Sequence, residues 1–458
     1  MAMGRRKRQQ QQPLFVSTSD LPRTPAHPFY EHLNQLLDQH HFDPFVEALC
    51  QPFYHDSLGR PSLPPTQYFR LLLLGYFEGI GSERGIAWQA TDSLSLRAFL
   101  GYDLHEATPD HSTISRTRRL IDLETHEQVF RWVLKVLAEH DLIRGKTVGI
   151  DATTLEANAA MRSIVRRDTK ETYQEFLTRL AKASGIETPT REDLAKIDKG
   201  RKNKASNKEW EHPHDPDARV AKMKDGTTHL AHKVEHAVDL GEGASGAVLA
   251  VTLQAADRGD TDTLLPTVGS TVHNLRALAD DPVTQGKITE ERMAEVVTDK
   301  GYHSNETMME LAELEMRSYV PEPDRGRRDW EGKEAERAAV YANRRRIRGR
   351  RGKRLLRRRG EYLERSFAHA YETGGMRRVH LRGRENILKR LLVHVGGFNL
   401  SLVMRRLVGR GTPRGLQGRR VGSLGLLWGL LWVVETLKRC LSRWERYRCA
   451  PDCSIATA

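Results

Sequence analysis

The stretch that most constrains the fold is Val296-Val297-Thr298-Asp299-Lys300-Gly301-Tyr302-His303-Ser304. Its apolar start is typical of a buried strand, Gly301 permits a sharp turn, and Ser304 is a good N-cap for a following helix. The pattern places Asp299 at the carboxyl end of a strand, where open sheets bind ligands. The alternative is that Asp299 only ties down the turn.

A second aspartate stands in a similar place at Asp151, near the end of the short strand predicted at residues 147–153. Further strand patterns and one long helix predict a mixed α/β sheet, in which three antiparallel strands precede a helix–strand–helix–strand unit. The strands are predicted at 230–238 and 247–253, joined by a glycine-rich turn at 241–243, then at 293–299 and 316–320, and the long helix is predicted at 261–278. Asp260 is the predicted cap of that helix, and the alternative is that Asp257 or Asp260, in place of Asp299, is the second site aspartate.

The first third of the chain has helical periodicity. Residues 1–28 are basic and rich in glutamine, which predicts a disordered arm, and residues 29–145 predict an all-α domain. Near its end, Ser112 or Asp110 can cap a helix whose first turns carry hydroxyls and arginines, among them Arg116 and Arg119. Such a helix is suited to phosphate contacts, with a solvated basic face as the alternative.

Composition points to a polyanionic partner. The formal charge is +13 and the positive charge is clustered, so nucleic acid is the first candidate. Four cysteines in 458 residues are no disulfide framework, and a reducing cytosol fits. The N-terminus lacks the apolar core of a signal peptide, and the apolar run at 424–434 is too short to span a membrane, so no membrane partner is expected.

The densest positive charge lies at residues 344–359, where eleven of sixteen residues are Arg or Lys. Like charges this close repel unless something neutralises them, which favours DNA phosphate over plain solubility. The next helix places Glu364 on one face with Ala368 and Tyr371, at i, i+4 and i+7. A glutamate on a partly apolar face is costly unless it is paired or bound to a cation.

Asp151, Asp299 and Glu364 together suit a pair of hard cations, since Mg²⁺ prefers carboxylate oxygens. Two such ions can activate a nucleophile and stabilise the leaving oxygen in a phosphoryl displacement. Three acidic residues alone are a weak signal, which the local sequence around each of them strengthens.

At these residues the chain resembles bacterial insertion-sequence transposases of the DDE type, in the group with a D-x-G-[YF] motif. The matching segments are Ile150-Asp151-Ala152-Thr153-Thr154-Leu155-Glu156-Ala157-Asn158, Asp299-Lys300-Gly301-Tyr302, Glu364-Arg365-Ser366-Phe367-Ala368 and Pro109-Asp110-His111-Ser112-Thr113-Ile114-Ser115-Arg116. The resemblance covers residues 30–407. Where many relatives carry Y-x2-R-x3-E-x6-K, this chain has Arg357, Gly360 and Tyr371 at the tyrosine, arginine and lysine places.

The resemblance implies an RNase H-like mixed sheet flanked by helices and preceded by the helical domain. The catalytic domain would span 146–407, with a charged insertion at about 162–222 and a basic segment at about 322–360, and residues 408–458 would form a tail that matches nothing expected of the family. Asp151, Asp299 and Glu364 would hold two Mg²⁺ ions, with Mn²⁺ as a substitute. The DNA-binding residues would be Arg116, Arg119, Arg350, Arg351, Lys353, Arg354, Arg357, Arg365, Arg377 and Arg378.

The implied function is DNA transposition: binding of terminal inverted repeats, metal-dependent strand cleavage and strand transfer. A homodimer in the synaptic complex and a bacterial cytoplasmic, nucleoid-associated location are expected with it. Two alternatives stay open at this point. One is a metal nuclease on the same fold without strand transfer, and the other is a transposase-derived DNA-binding protein without catalysis.

Overall fold

The computed structural model of the chain describes residues 27–55, 62–201, 204–223, 226–324, 326 and 328–415. Nearly all of the predicted basic arm, the apolar run at 424–434 and the tail beyond residue 415 lie outside the described residues. Predictions that concern those segments stay predictions.

The first described part of the chain is helical, as predicted. Local signals set several of its boundaries: the side chain of Ser82 accepts a hydrogen bond from Gly85 N at the start of one helix. Asp110, and not Ser112, caps the predicted basic helix, because its carboxylate accepts from Thr113 N at 2.7 Å. The helices are α1 (Pro28–Gln39), α2 (Phe42–Cys50), α3 (Pro65–Glu78), α4 (Glu83–Asp92), α5 (Leu94–Leu100), α6 (His111–Leu120) and α7 (Leu123–Glu139).

The second part is the predicted mixed α/β sheet with helices around it. Its elements are β1 (Thr147–Glu156), β2 (Val165–Arg166), α8 (Tyr173–Ala183), α9 (Arg191–Gly200), β3 (Trp210–Glu211), β4 (Arg219–Lys222), β5 (Thr228–Asp239), β6 (Val248–Ala255), α10 (Asp260–Asp280), β7 (Glu295–Val297), α11 (Asn305–Glu313), β8 (Arg317–Tyr319), α12 (Glu334–Arg348), α13 (Arg350–Phe367) and α14 (Arg384–Val408).

The sheet has β1 near its middle. On one side β1 pairs antiparallel with β5, whose other edge pairs antiparallel with both β4 and β6. On the other side β1 pairs parallel with β7, and β7 pairs parallel with β8. The three antiparallel strands and the following helix–strand–helix–strand unit therefore stand as the sequence predicted.

The two aspartates do not sit at strand ends in the way predicted. β1 continues to Glu156, so Asp151 lies in mid-strand, and β7 stops at Val297, so Asp299 follows it by two residues. The cause is the pairing: β5 supports β1 along its whole length, whereas β7 pairs only with the first three residues of β1.

The insertion at 162–222 contains more than the charged helical surface predicted from its sequence. α8 and α9 are separated near Gly185 and Pro189, as expected, but they pack with the β2–β3 pair around a separate small core that includes Phe176 and Trp210. The guanidinium of Arg166 lies over both rings, 5.0 and 6.0 Å from their centroids. Part of the insertion's positive charge therefore covers its own aromatic core.

The prediction that Glu364 shares a face with Tyr371 is wrong. α13 ends at Phe367 and passes directly into a π-helical segment, Ala368–Thr373. The wider π turn shifts the phase, so that Tyr371 is fully buried while Glu364 is exposed. Glu364 therefore has no desolvation cost to offset.

α14 joins the helical part to the sheet. It packs on α3 and α7 on one side and on β6 on the other, and a single hydrophobic core runs through all of them. The buried guanidinium of Arg390 in α14 donates to the carbonyl of Leu72 in α3 at 2.7 Å. The helix is long and apolar enough for a membrane span, with a mean hydropathy of 1.3, but 94% of that window is buried within the protein.

One ion pair fixes α13 against the sheet. Arg351 donates to both oxygens of Glu295 in β7, at 3.1 and 2.6 Å. Burial opposes ionisation of Glu295, but the hydrogen bonds from Arg351, Thr147 and Tyr319 lower the pKa of its carboxyl. Arg351, predicted to bind DNA, thus already has a carboxylate partner.

We expect Arg351→Gln to lower the free energy of unfolding by about 2–3 kcal/mol at pH 7, since it leaves a buried carboxylate unpaired. The matched control is Arg354→Gln, which removes a pair with exposed Glu242 and should cost at most about 1 kcal/mol. Because the folded pKa of Glu295 is depressed, its stabilising contribution should be lost as the pH falls below 4.5 and through that folded pKa. Urea denaturation at several pH values measures both effects; equal losses for the two variants would contradict the assignment.

Candidate active site

Asp151 lies on the face of β1 that α13 covers. Its Oδ1 accepts a hydrogen bond from Ala152 N at 2.8 Å, and its Oδ2 lies 3.0 Å from Nη1 of Arg359 in α13. The side chain is 26% exposed, so one flank stays open to solvent. Gly149, on the same face, allows the helix this close, since an added Cβ would come within 3.3 Å of the Arg359 Cγ.

Asp299 caps a short 3-10 turn, Lys300–Tyr302, by accepting from Gly301 N at 2.8 Å. It therefore does tie down the turn. In the register of the sheet, Asp299 also occupies the position that corresponds to Asp151. The last β1–β7 pair is Gly149 with Val297, and each aspartate follows its partner in that pair by two residues. Adjacent parallel strands run about 4.8 Å apart, which brings the two carboxylates to one end of the β1–β7 seam.

A third aspartate, Asp260, joins this end of the sheet. A Cβ added at Gly301 would meet Oδ2 of Asp260 and, at 3.1 Å, Oδ1 of Asp299, so both carboxylates lie against the same α-carbon. The expectation that Asp260 caps α10 is wrong: Gly259 occupies the N-cap position, and the side chain makes an ion pair instead. Gly301 is thus needed for close approach, in addition to the turn.

The partner of Asp260 is Lys233 in β5, whose Nζ lies 2.6 Å from Oδ1. Lys233 is only 5% exposed, and it also lies 3.5 Å from Glu235, which is fully buried. Tyr302 donates to Glu235 at 3.0 Å. Burial, followed by the charges of Glu235, Asp260 and Asp151, raises the pKa of Tyr302 well above its ordinary value, so the ring stays a neutral donor beneath the site.

Sequence reasoning missed Lys233 and Glu235. Both stand in β5, whose residues are buried from Leu230 to Asp239. The signal that could have identified them is a lysine and a glutamate two residues apart in a predicted strand. Buried charges of opposite sign need each other or a further partner.

A buried histidine lies beside Asp151. His236 is its register partner in β5; its Nδ1 lies 3.0 Å from Ser366 Oγ and its Nε2 lies 2.6 Å from the Tyr371 hydroxyl. Burial lowers the pKa of His236 to about 3, so it is neutral. The pair therefore fastens the π-helical segment to β5, and Tyr371, at the lysine place of the resembling family, faces the core.

Glu364 lies on the outer face of α13. Its exposed side chain continues a helical stripe of exposed cations, Arg350, Lys353 and Arg357, at successive turns. Within the described ranges, no three His, Cys, Asp or Glu side chains are close enough to hold a metal ion. The structure thus brings Asp151 and Asp299 to one seam, and it does not place Glu364 with them.

The predicted DNA contacts fall into two sets. Five already have partners within the chain: Arg351 with Glu295, Arg354 with Glu242, Arg365 with Ser245 O and the Tyr362 ring, Arg377 with Thr153, Thr154 O and Glu372, and Arg378 with Glu156. Arg116 and Arg119 are exposed with hydrogen bonds only inside α6. Arg350, Lys353 and Arg357 are exposed and have no side-chain partner among the described residues.

Comparison with known proteins supports a transposase family. Residues 19–120 match the family described as "Transposase domain (DUF772)", which covers the helical part of the chain up to α6. No curated protein and no solved structure matches the chain. The match lies outside the sheet, so it carries no information on the aspartates.

We expect Lys233→Met to lower the free energy of unfolding by about 3–5 kcal/mol, because it leaves Glu235 and Asp260 without their buried counter-charge. Lys287→Met is the matched control, since Lys287 pairs with Asp141 where both side chains are about 40% exposed. Its cost should stay below about 1 kcal/mol. Urea denaturation at pH 7 measures both, and a Lys233→Met variant as stable as the control would show that the network is not a structural support.

Proposed function

We propose that the chain is a DDE-type DNA transposase of an insertion sequence, with an RNase H-like catalytic sheet. It would bind the terminal repeats of its element, cleave a DNA strand to free a 3′-OH, and join that end to target DNA. A homodimer acting on double-stranded DNA in the bacterial cytoplasm belongs to the same proposal.

The observation that carries the proposal is the pairing of β1 with β7. Asp151 and Asp299 each follow the last β1–β7 pair by two residues, and Asp151 lies against α13, whose outer face carries a stripe of exposed cations. A polyanion held by that stripe would lie along the helix that covers Asp151. The match of residues 19–120 to a transposase domain independently supports a transposase role for the chain.

The residues fit a hard divalent cation in their chemistry. Asp151 and Asp299 offer carboxylate oxygens on a partly open flank, and the guanidinium of Arg359 already stands against Asp151 as a positive charge. Asp151, Asp299 and Glu364 would hold two Mg²⁺ ions, with Mn²⁺ as a substitute. When bound, the ions would activate the attacking oxygen and stabilise the leaving one.

The chain's own side chains supply positioning. Lys233 holds Asp260 beside Gly301 and so limits how far the Asp299 turn can move. The stripe of Arg350, Lys353 and Arg357 would bind successive phosphates, because its cations are exposed and not neutralised within the described chain. Glu364 can reach the aspartates only if α13 moves relative to the sheet. We expect bound DNA to favour that movement and so to complete the site.

We expect Asp151→Asn, Asp299→Asn and Glu364→Gln each to reduce cleavage of a labelled element end in Mg²⁺ by more than about 100-fold, since each removes a metal-binding carboxylate. Binding to the same DNA in band shifts should largely survive, because cations make the phosphate contacts. Glu361→Gln is the control for Glu364, being exposed on the same helix three residues earlier, and should cleave normally.

Normal cleavage by Glu364→Gln, with loss in both aspartate variants, would remove Glu364 from the site. Cleavage without joining in a target-plasmid assay would indicate a nuclease of the same fold. Absence of cleavage by the unaltered protein, with repeat-specific binding, would indicate a DNA-binding descendant of a transposase.

We further expect the triple variant Arg350→Gln, Lys353→Gln, Arg357→Gln to weaken binding to every DNA sequence. Its slope of log K against log salt should flatten by up to about 0.9 for each lost phosphate contact. The charge-matched control replaces Lys182, Arg191 and Lys196, which are exposed on the insertion. Equal slopes for the two triples would mean that net charge, and not the stripe, binds DNA.

A further inference from the structure

A guanidinium from α13 lies on the first aspartate of the site. Arg359 Nη1 is 3.0 Å from Asp151 Oδ2, and the Arg359 side chain is only 16% exposed. Asp151 is the one carboxylate that pairs with Arg359 among the residues that the structure describes. The pair is therefore a local charge balance at the edge of the candidate site.

The arginine is held in place by the fold. Its stem lies over Gly149 in β1, where an added Cβ would be 3.3 Å from the Arg359 Cγ and would leave the stem little room. Buried Leu355 and Leu363 anchor the helix one turn before and after Arg359. Its neighbours Arg357 and Arg358 point elsewhere: Arg357 is exposed, and Arg358 donates to the Tyr362 hydroxyl at 3.2 Å. Contact with Asp151 is thus specific to one of three consecutive arginines.

A metal ion and this guanidinium cannot both be neutralised by one carboxylate. With a divalent ion on Asp151, Arg359 would face like charge in a mostly desolvated position. A phosphate oxygen is the natural alternative acceptor, since a guanidinium forms strong, directional hydrogen bonds with phosphate.

We infer that Arg359 is a positioning residue that makes metal binding depend on DNA. Without DNA it occupies Asp151 as an internal counter-cation and keeps metal affinity low. A DNA phosphate at the site draws the guanidinium away and leaves Asp151 available to the metal. The inference rests on the proposed function, because it takes Asp151 as a metal ligand and DNA as the substrate.

The test measures Mn²⁺ affinity of the full chain by electron paramagnetic resonance, first without DNA. Arg359→Gln should bind Mn²⁺ more tightly than the unaltered protein by at least about tenfold, because the competing charge is gone. Arg357→Gln, which removes the same charge two residues away, should change the affinity by less than about twofold, since its charge is exposed and screened. A short DNA duplex should tighten Mn²⁺ binding by the unaltered protein and should have a smaller effect on Arg359→Gln.

Equal affinities for Arg359→Gln and Arg357→Gln, or an equal effect of DNA on the unaltered protein and Arg359→Gln, would overturn the inference. If thermal melts show that Arg359→Gln is unfolded, Arg359→Met replaces it, because it keeps an apolar stem over Gly149, and the same tightening is expected. Asp151→Asn, measured with the DNA duplex present, distinguishes failure of the proposed site from failure of the role of Arg359: if it binds Mn²⁺ as well as the unaltered protein does with DNA, the proposed site is wrong. If it loses Mn²⁺ while the arginine variants do not differ, only the role of Arg359 fails.

Discussion

The candidate site depends on where the parallel pairing of β1 with β7 stops. Three residue pairs join the two strands, and the last of them is Gly149 with Val297. β5 pairs with β1 as far as Glu156, whereas β7 ends at Val297. Asp151 and Asp299 lie just beyond the last β1–β7 pair, so a longer β7 would pair with β1 where these two carboxylates stand.

The negative charge around Asp151 and Asp299 explains why two cations, Lys233 and Arg359, lie close to the candidate site. Lys233 is the shared counter-charge of Asp260 and Glu235, in a network that the Tyr302 and threonine hydroxyls complete by hydrogen bonds. Arg359 balances Asp151. These two cations compensate part of the negative charge around Asp151 and Asp299, and the stripe on the outer face of α13 keeps its charge for a polyanion.

Local sequence signals were enough for much of the fold. Ser304 caps the helix that it was expected to cap, and the strand patterns at 230–238 and 247–253 form the β5–β6 hairpin. Asp151 and Asp299 were identified from strand patterns that the structure contains, although neither residue ends its strand. The role of these two residues in catalysis stays a prediction.

Long-range contacts could not be read in the same way. That Lys233 meets Asp260, 27 residues away, and that Arg351 meets Glu295, 56 residues away, depends on the tertiary fold alone. The dense basic run was interpreted as DNA contact throughout, yet about half of its arginines neutralise or hydrogen-bond groups within the protein. The phase shift at Ala368 could not be predicted either, because nothing in the local sequence distinguishes this π-helical segment from a continuing α-helix.

The proposed site requires carboxylates from three separate elements to meet at one metal centre when DNA is bound. Hydroxyl radicals generated at Fe²⁺ in place of the native ion would test this requirement, since they cut the polypeptide backbone only near the metal. With a DNA duplex present, cuts are expected at the middle of β1, after β7 and near Glu364 in α13. Cuts at β1 and β7 without any in α13 would contradict a site that includes Glu364, and cuts at none of the three would contradict the site itself.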